Sequence, residues 1–158
     1  MDDLLLARAL HVVGVVIWIG GVAMVTSVLL PLLIQMPSAQ DRAEFFRKFE
    51  TRFAAQARIA TLLVGLSGVY MVYALNLWSR FAEPRYWWMH AMVIVWLLFS
   101  ILLFILEPNI LRRRVETSVQ QASETTFRKM QRFHWILLSI SLVTVAGAVA
   151  GSHGWLMF

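Results

Sequence analysis

Four histidines carry the side-chain chemistry in this sequence that best suits a cofactor or a metal ion: His11, His90, His134 and His153. Imidazole ligates both haem iron and copper. Cysteine is absent, which excludes disulfides, iron–sulfur clusters, thiolate zinc sites and covalent c-type haem attachment. The sequence also lacks a hydrolase-like nucleophile and base pair, and it has no glycine-rich phosphate loop. The sequence therefore favours ligation of a cofactor or a metal ion by neutral imidazole.

Long apolar runs determine where these histidines lie. The chain is 59% hydrophobic and 15% charged, and runs of about 18 or more apolar residues are typical of membrane-spanning helices. The pattern predicts an all-α fold, an integral membrane four-helix bundle that forms a single transmembrane domain over residues 1–158. Pro31 and Pro37 predict the end of the first span, because proline cannot donate a helical hydrogen bond. The predicted spans are residues 4–34, 54–77, 86–106 and 133–158.

The segment between the first two spans is amphipathic. Ser38-Ala39-Gln40-Asp41 resembles a helix-capping box. Basic residues follow, with apolar residues at helical spacing between them, which predicts a surface helix that runs directly into span two. The phenylalanines of this segment are Phe45, Phe46, Phe49 and Phe53. A second polar stretch, residues 112–132, is predicted to be helical and solvated.

Basic residues are distributed very unevenly between the two sides of the predicted bundle. Eleven of the fourteen lysines and arginines lie in the two long connections, and only Arg8, Arg80 and Arg85 lie on the other side. The positive-inside rule then predicts a multi-pass protein of the bacterial inner (cytoplasmic) membrane with both termini periplasmic. The net charge of +5 beside apolar spans favours membrane lipid as a partner and argues against nucleic acid. A homo-oligomer is compatible with the pattern.

Three histidines fall at a similar depth in this topology. At 1.5 Å per residue, His11 and His153 lie roughly 12 Å from the centres of their spans, and His90 lies roughly 9 Å from its own. All three are on the outer side, whereas His134 lies near the cytoplasmic end beside Trp135. Ionisable groups inside spans are costly and are usually functional. The shared depth therefore predicts a cofactor or metal site near the outer face.

One face of the first span carries further candidate residues. His11, Gly14, Trp18 and Gly21 are spaced three, four and three residues apart, so they lie on one side of a helix. Glycines beside an imidazole leave a groove in which a porphyrin approaches the backbone. Small residues also favour plain helix–helix packing, and both interpretations stay open. Arg8 and Arg85 lie near the outer edge, where haem propionates need cationic partners.

The leading hypothesis from these residues is a b-type cytochrome. His11 and His90 would be the axial ligands of a haem b, and His153 would replace either of them or serve a second haem. Such a haem would exchange electrons with a quinone or a periplasmic carrier. A copper site formed by His11, His90 and His153 is the alternative, because imidazole and nearby methionine thioethers suit copper.

The stretch Leu10-His11-Val12-Val13-Gly14-Val15-Val16-Ile17-Trp18-Ile19-Gly20-Gly21 resembles the first helix of a superfamily of small membrane proteins. That superfamily includes the HemJ-type protoporphyrinogen oxidases and the CopD-like copper-resistance domains. The resemblance implies four spans, bound haem b with His11 as a ligand, and either porphyrin oxidation or copper binding or transport as alternative functions. His90 stands where the HemJ-type proteins carry a lysine, and their asparagine–glutamate–proline motif is absent. Both departures favour bis-histidine ligation over porphyrin oxidation.

Overall fold

In the computed structural model, which describes residues 2–107 and 123–155, the chain is helical and has no strand among the described residues. Helix α1 is Asp2–Gln35 and helix α2 is Ala39–Ala74. Helix α3 begins at Trp87 and ends at Leu106, and helix α4 is Glu124–Ser152. All four helices are long and apolar enough to cross a membrane. The prediction of an all-α, four-helix membrane bundle is confirmed.

Helix α1 continues past a proline that was expected to end it. The helix changes to π-helical geometry at Val25–Leu29 and then runs on as α-helix from Leu30 to Gln35. Pro31 therefore lies inside the helix, and the expectation that it marks the end was wrong. The wide π-helical turn directly before Pro31 provides an irregular segment in which a missing N–H is tolerated. In that segment the hydroxyl of Thr26 donates to a carbonyl one turn earlier, at 2.6 Å.

Helix α2 joins the amphipathic segment and the second span in one continuous helix of 36 residues. It begins where the capping pattern predicts, because the Ser38 hydroxyl oxygen accepts a hydrogen bond from the Asp41 amide at 3.2 Å. It ends at Ala74, three residues before the predicted boundary. Asn76 then takes a left-handed conformation with φ of 51°, which asparagine tolerates better than most residues.

Helix α4 starts earlier and ends earlier than the predicted span. The Ser123 hydroxyl oxygen accepts from the Thr126 amide at 3.2 Å, so the helix begins at Glu124 and includes polar residues ahead of the apolar run. It ends at Ser152, just before Gly154 with φ of 90°. Most of the solvated helix expected at 112–132 lies outside the described residues.

The bundle is closed by contacts of each helix with two neighbours. Helices α1 and α3 lie opposite one another, and each packs mainly on α2 and α4. Indole rings of α3 lie on glycines of its neighbours: Trp96 on Gly65 of α2, and Trp87 and Trp88 on α4. We call the end with Asp2, the loop 75–86 and Trp155 the termini side. The opposite end, with the segment 36–38, the end of α3 and the start of α4, is the connection side.

Candidate functional site

His11 is half-buried between α1 and α2, and its hydrogen bonds specify its tautomer. Its Nδ1 lies 3.0 Å from the Val64 carbonyl oxygen and 3.1 Å from the Ser67 hydroxyl oxygen. A carbonyl only accepts, so Nδ1 carries the hydrogen, and the Ser67 hydroxyl gives its own hydrogen to Leu63 at 2.6 Å. In the neutral ring, Nε2 then holds a lone pair. Metal-ligating histidines are commonly oriented by this type of bond from the other ring nitrogen to a carbonyl.

His90 uses the opposite ring nitrogen. Its Nε2 donates to the carbonyl oxygen of Phe81 at 2.9 Å, and its ring meets the Phe81 ring edge-on with centroids 5.4 Å apart. These contacts pack the start of α3 against the 3₁₀ turn Trp78–Ala82. Ligation of iron through this nitrogen requires the hydrogen bond to Phe81 to break.

The other two histidines bond to carbonyls of their own helix. Nδ1 of His153 donates to Val149 at 2.8 Å, and Nδ1 of His134 donates to Met130 at 2.9 Å. His153 is exposed on the termini side. Within residues 2–107 and 123–155, no group of three or more histidine, cysteine or acidic side chains is able to hold a metal ion. The three histidines predicted at one depth thus have separate partners.

The predicted groove on α1 is filled by side chains of α2. A Cβ atom added to Gly14 would lie 2.8 Å from a Val64 methyl carbon, and one added to Gly21 would lie 2.7 Å from the Phe53 ring. Trp18 is buried and meets Phe99 of α3 edge-on at 5.0 Å. Of the two interpretations that the glycines allowed, the structure describes close helix packing.

The two arginines expected near haem propionates have different surroundings. Arg8 is exposed on α1, almost one turn before His11. Arg85 is ion-paired with Glu83 and lies over the Tyr86 ring at 5.2 Å from its centroid. Arg85 is therefore held in the loop on the termini side, and both arginines are exposed.

A cavity of about 320 Å³ lies on the connection side, where sequence reasoning placed no site. All four helices contribute to its wall, and Trp18 is the only predicted site residue of the described chain that lines it. His134 also lines it, although the sequence suggested only an interfacial residue. The signal that would have found it is the spacing of Met130, His134 and Leu137, which puts all three on one face of α4. The other lining residues are Val22, Val25, Leu29, Phe46, Phe49, Glu50, Phe53, Ala54, Ala57, Phe99, Leu102, Leu103, Leu106, Glu107 and Phe133.

None of three comparisons, with protein families, curated proteins and solved structures, finds a match to this chain. The likeness of the first helix to the HemJ-type and CopD-like proteins therefore stays a prediction.

An arginine on α2 holds the end of α3 beside the cavity. The guanidinium of Arg58 pairs with the Glu107 carboxylate, and its Nε donates to the Leu103 carbonyl oxygen at 3.1 Å. Leu103 belongs to the π-helical segment Leu102–Leu106, where the backbone bonding pattern is irregular. Arg58 therefore satisfies a carbonyl and a carboxylate together, in a forked geometry that suits arginine.

Replacing Arg58 by alanine is expected to destabilise the bundle by about 1–2 kcal/mol, because a part-buried carboxylate and a carbonyl both lose their donor. The stability of Arg58→Lys should lie between those of wild type and Arg58→Ala, because lysine keeps the positive charge but lacks the forked donor geometry of the guanidinium. Thermal unfolding in detergent measures both. The control is Lys48→Ala, which removes an exposed ion pair with Glu44 and should leave the midpoint unchanged. Equal midpoints for all four proteins would contradict this role of Arg58.

Proposed function

We propose that this protein is a membrane b-type cytochrome in which His11 is an axial ligand of haem b. The observation that carries the proposal is the bond from His11 Nδ1 to the Val64 carbonyl oxygen, at 3.0 Å. It orients the ring and leaves the lone pair on Nε2, the nitrogen that ligates iron in most haem proteins. The proposal is supported further by the cost of a histidine within a membrane span.

The residues fit the cofactor unequally. His11 has the tautomer and the half-buried position that a ligand needs. His90 is the proposed second ligand through Nε2, and ligation through that nitrogen gives up its hydrogen bond to Phe81. That exchange offsets about 1 kcal/mol of the ligation energy. His11 should therefore dominate haem affinity, and His90 should mainly affect the ligand field.

A haem iron held in this way supplies one-electron transfer. The chain would contribute the ligand nitrogen and the apolar helix faces around it. A quinone or a periplasmic carrier is the proposed electron partner. A shared copper site would need His11, His90 and His153 together, and the three imidazoles have separate partners.

The test is the haem content of the full chain, expressed in haem-replete cells and purified in detergent. The proposal expects a Soret band and about one haem per chain by pyridine haemochrome assay, bound non-covalently because the chain has no cysteine. Purified, folded protein without a Soret band, and without one after hemin addition and removal of unbound hemin, would refute it.

We further propose that the termini side faces the periplasm of a bacterial inner membrane. In the sequence, eleven of the fourteen lysines and arginines belong to the two long connections between spans. Because the natural chain has no cysteine, single substitutions test this cleanly. Ser79→Cys, exposed on the termini side, should react with a membrane-impermeant maleimide in intact spheroplasts, and Gln40→Cys should react only after lysis. The reverse pattern would invert the topology.

A further inference from the structure

The outer face of α4 changes from basic to apolar within two turns, near the connection side. Lys129 and Arg132 are exposed there, and Trp135 and Ile136 are exposed on the next turn towards the middle of the bundle. At 3.6 residues per turn these four side chains lie within about a third of the circumference of the helix. Phe127, on the other side of α4, is buried. The four residues therefore form one continuous outward surface, which we call the α4 face.

The length of α3 locates the α4 face relative to the membrane. Helix α3 consists of 15 α-helical and 5 π-helical residues, so it is roughly 30 Å long and matches the hydrocarbon core of a bilayer. Its last residue, Leu106, lines the same cavity as Met130 and Phe133 of α4. Lys129 and Arg132 adjoin these two residues in the chain. Both cations therefore lie at the level where α3 leaves the hydrocarbon, which is the level of the lipid headgroups.

The two cations of the α4 face have no carboxylate partner within residues 2–107 and 123–155. The neighbouring Arg128 differs, because its guanidinium is paired with Glu124 at 2.6 Å. Lys129 and Arg132 thus keep their full positive charge for an anion in the headgroup layer.

The order of chemical groups along the α4 face matches that of a phospholipid. Basic residues beside a span attract anionic headgroups, and tryptophan is enriched at the membrane–water interface. Exposed aliphatic side chains follow at Ile136 and Val143, where an acyl chain lies. A soluble acidic partner would contact only the basic part of this surface. We infer that the α4 face binds an anionic phospholipid, with the phosphate at Lys129 and Arg132 and an acyl chain along Ile136.

The test of this inference requires neither haem at His11 nor a known topology. The purified full chain in detergent is titrated with phosphatidylglycerol and with phosphatidylcholine of the same acyl chains, and native mass spectrometry gives both dissociation constants. Both lipids carry a phosphate, but only phosphatidylglycerol has a net negative charge. It should bind about 5- to 25-fold more tightly, since each basic residue near an anionic lipid surface contributes about fivefold. Equal affinities would overturn the inference.

Two variants and a control of equal charge separate a site from a net-charge effect. Lys129→Gln and Arg132→Gln should each weaken phosphatidylglycerol binding about fivefold and leave phosphatidylcholine binding unchanged. The control is Arg47→Gln at an exposed arginine of α2. Arg47 lies about 10 Å further from the membrane than Ala54, which lines the cavity with Leu106.

Because this offset exceeds the Debye length of about 8 Å, Arg47→Gln should change phosphatidylglycerol binding less than about twofold. Thermal unfolding of each variant checks that it is folded. If Arg47→Gln weakens binding as much as Lys129→Gln and Arg132→Gln do, the lipid responds only to net charge and the inference is wrong.

Discussion

His11→Ala is expected to purify with about a tenth or less of the wild-type haem content. Mutating a residue that merely orients a metal ligand typically lowers metal affinity 10- to 100-fold, and removing the ligand itself should lower it at least as much. The side chain removed is the one whose Nδ1 is already bound to the Val64 carbonyl oxygen, which leaves Nε2 for the iron. The measurement is the ratio of Soret to protein absorbance after matched purification. His11 packs against Gly68, so circular dichroism must show that the variant is folded.

His90→Ala is expected to behave differently from His11→Ala. Since Nε2 of His90 is bound to Phe81 at 2.9 Å without haem, its net contribution to haem affinity is smaller. The variant should retain most of its haem with an altered spectrum of the reduced form. His153→Ala, which removes an exposed imidazole on the same side, should match wild type. If His153→Ala loses the haem and His11→Ala keeps it, the assignment of the ligand is wrong.

Gly147→Ala is expected to destabilise the bundle by about 1–3 kcal/mol, because it overpacks the seam between α3 and α4. The added Cβ would lie 2.4 Å from the Trp87 ring, within the body of a rigid indole. The Trp87 ring packs on Gly147 across the seam, so relieving the contact requires the ring or the backbones to shift. Thermal unfolding in detergent gives the change. The matched control is Gly20→Ala, where nothing lies within 4 Å of the new Cβ, and that variant should equal or exceed wild type.

A double variant shows whether the effect of Gly147→Ala comes from that contact. Adding Trp87→Ala makes room for the new methyl group, so the double variant should be more stable than the sum of the two single changes allows. A coupling of about 1 kcal/mol or more is expected for residues in direct contact. Additive effects, or a Gly147→Ala protein as stable as Gly20→Ala, would contradict the packing described for this seam.

The sequence was sufficient for the number of helices and for their class. Four apolar runs of spanning length leave few alternatives, and the Ser38 cap was readable from a local pattern because its partner is three residues away. The continuation of helix α1 past Pro31 could not be predicted from the sequence. The π-helical turn that accommodates this proline depends on packing against other helices, and periodicity in an almost uniformly apolar span does not report it.

The candidate site was predictable only in part. Depth along a helix follows from counting residues, which placed His11, His90 and His153 on one side. The direction in which each ring points depends on partners distant in sequence, such as Val64 for His11. The partner of His90 is a loop carbonyl at Phe81, which no side-chain pattern reveals. The cavity was missed for a similar reason, since its wall combines residues of four helices that share no local motif.

The most direct measurement is imidazole rescue of His11→Gly, since it separates iron ligation from a structural role of the ring. The account predicts that the folded variant lacks the Soret band both as purified and after hemin addition followed by removal of unbound hemin. Free imidazole supplied with the hemin should restore that band, because it replaces the missing nitrogen without replacing the bond to Val64. A His11→Gly protein that shows the wild-type spectrum without imidazole would contradict the central claim that His11 holds the haem.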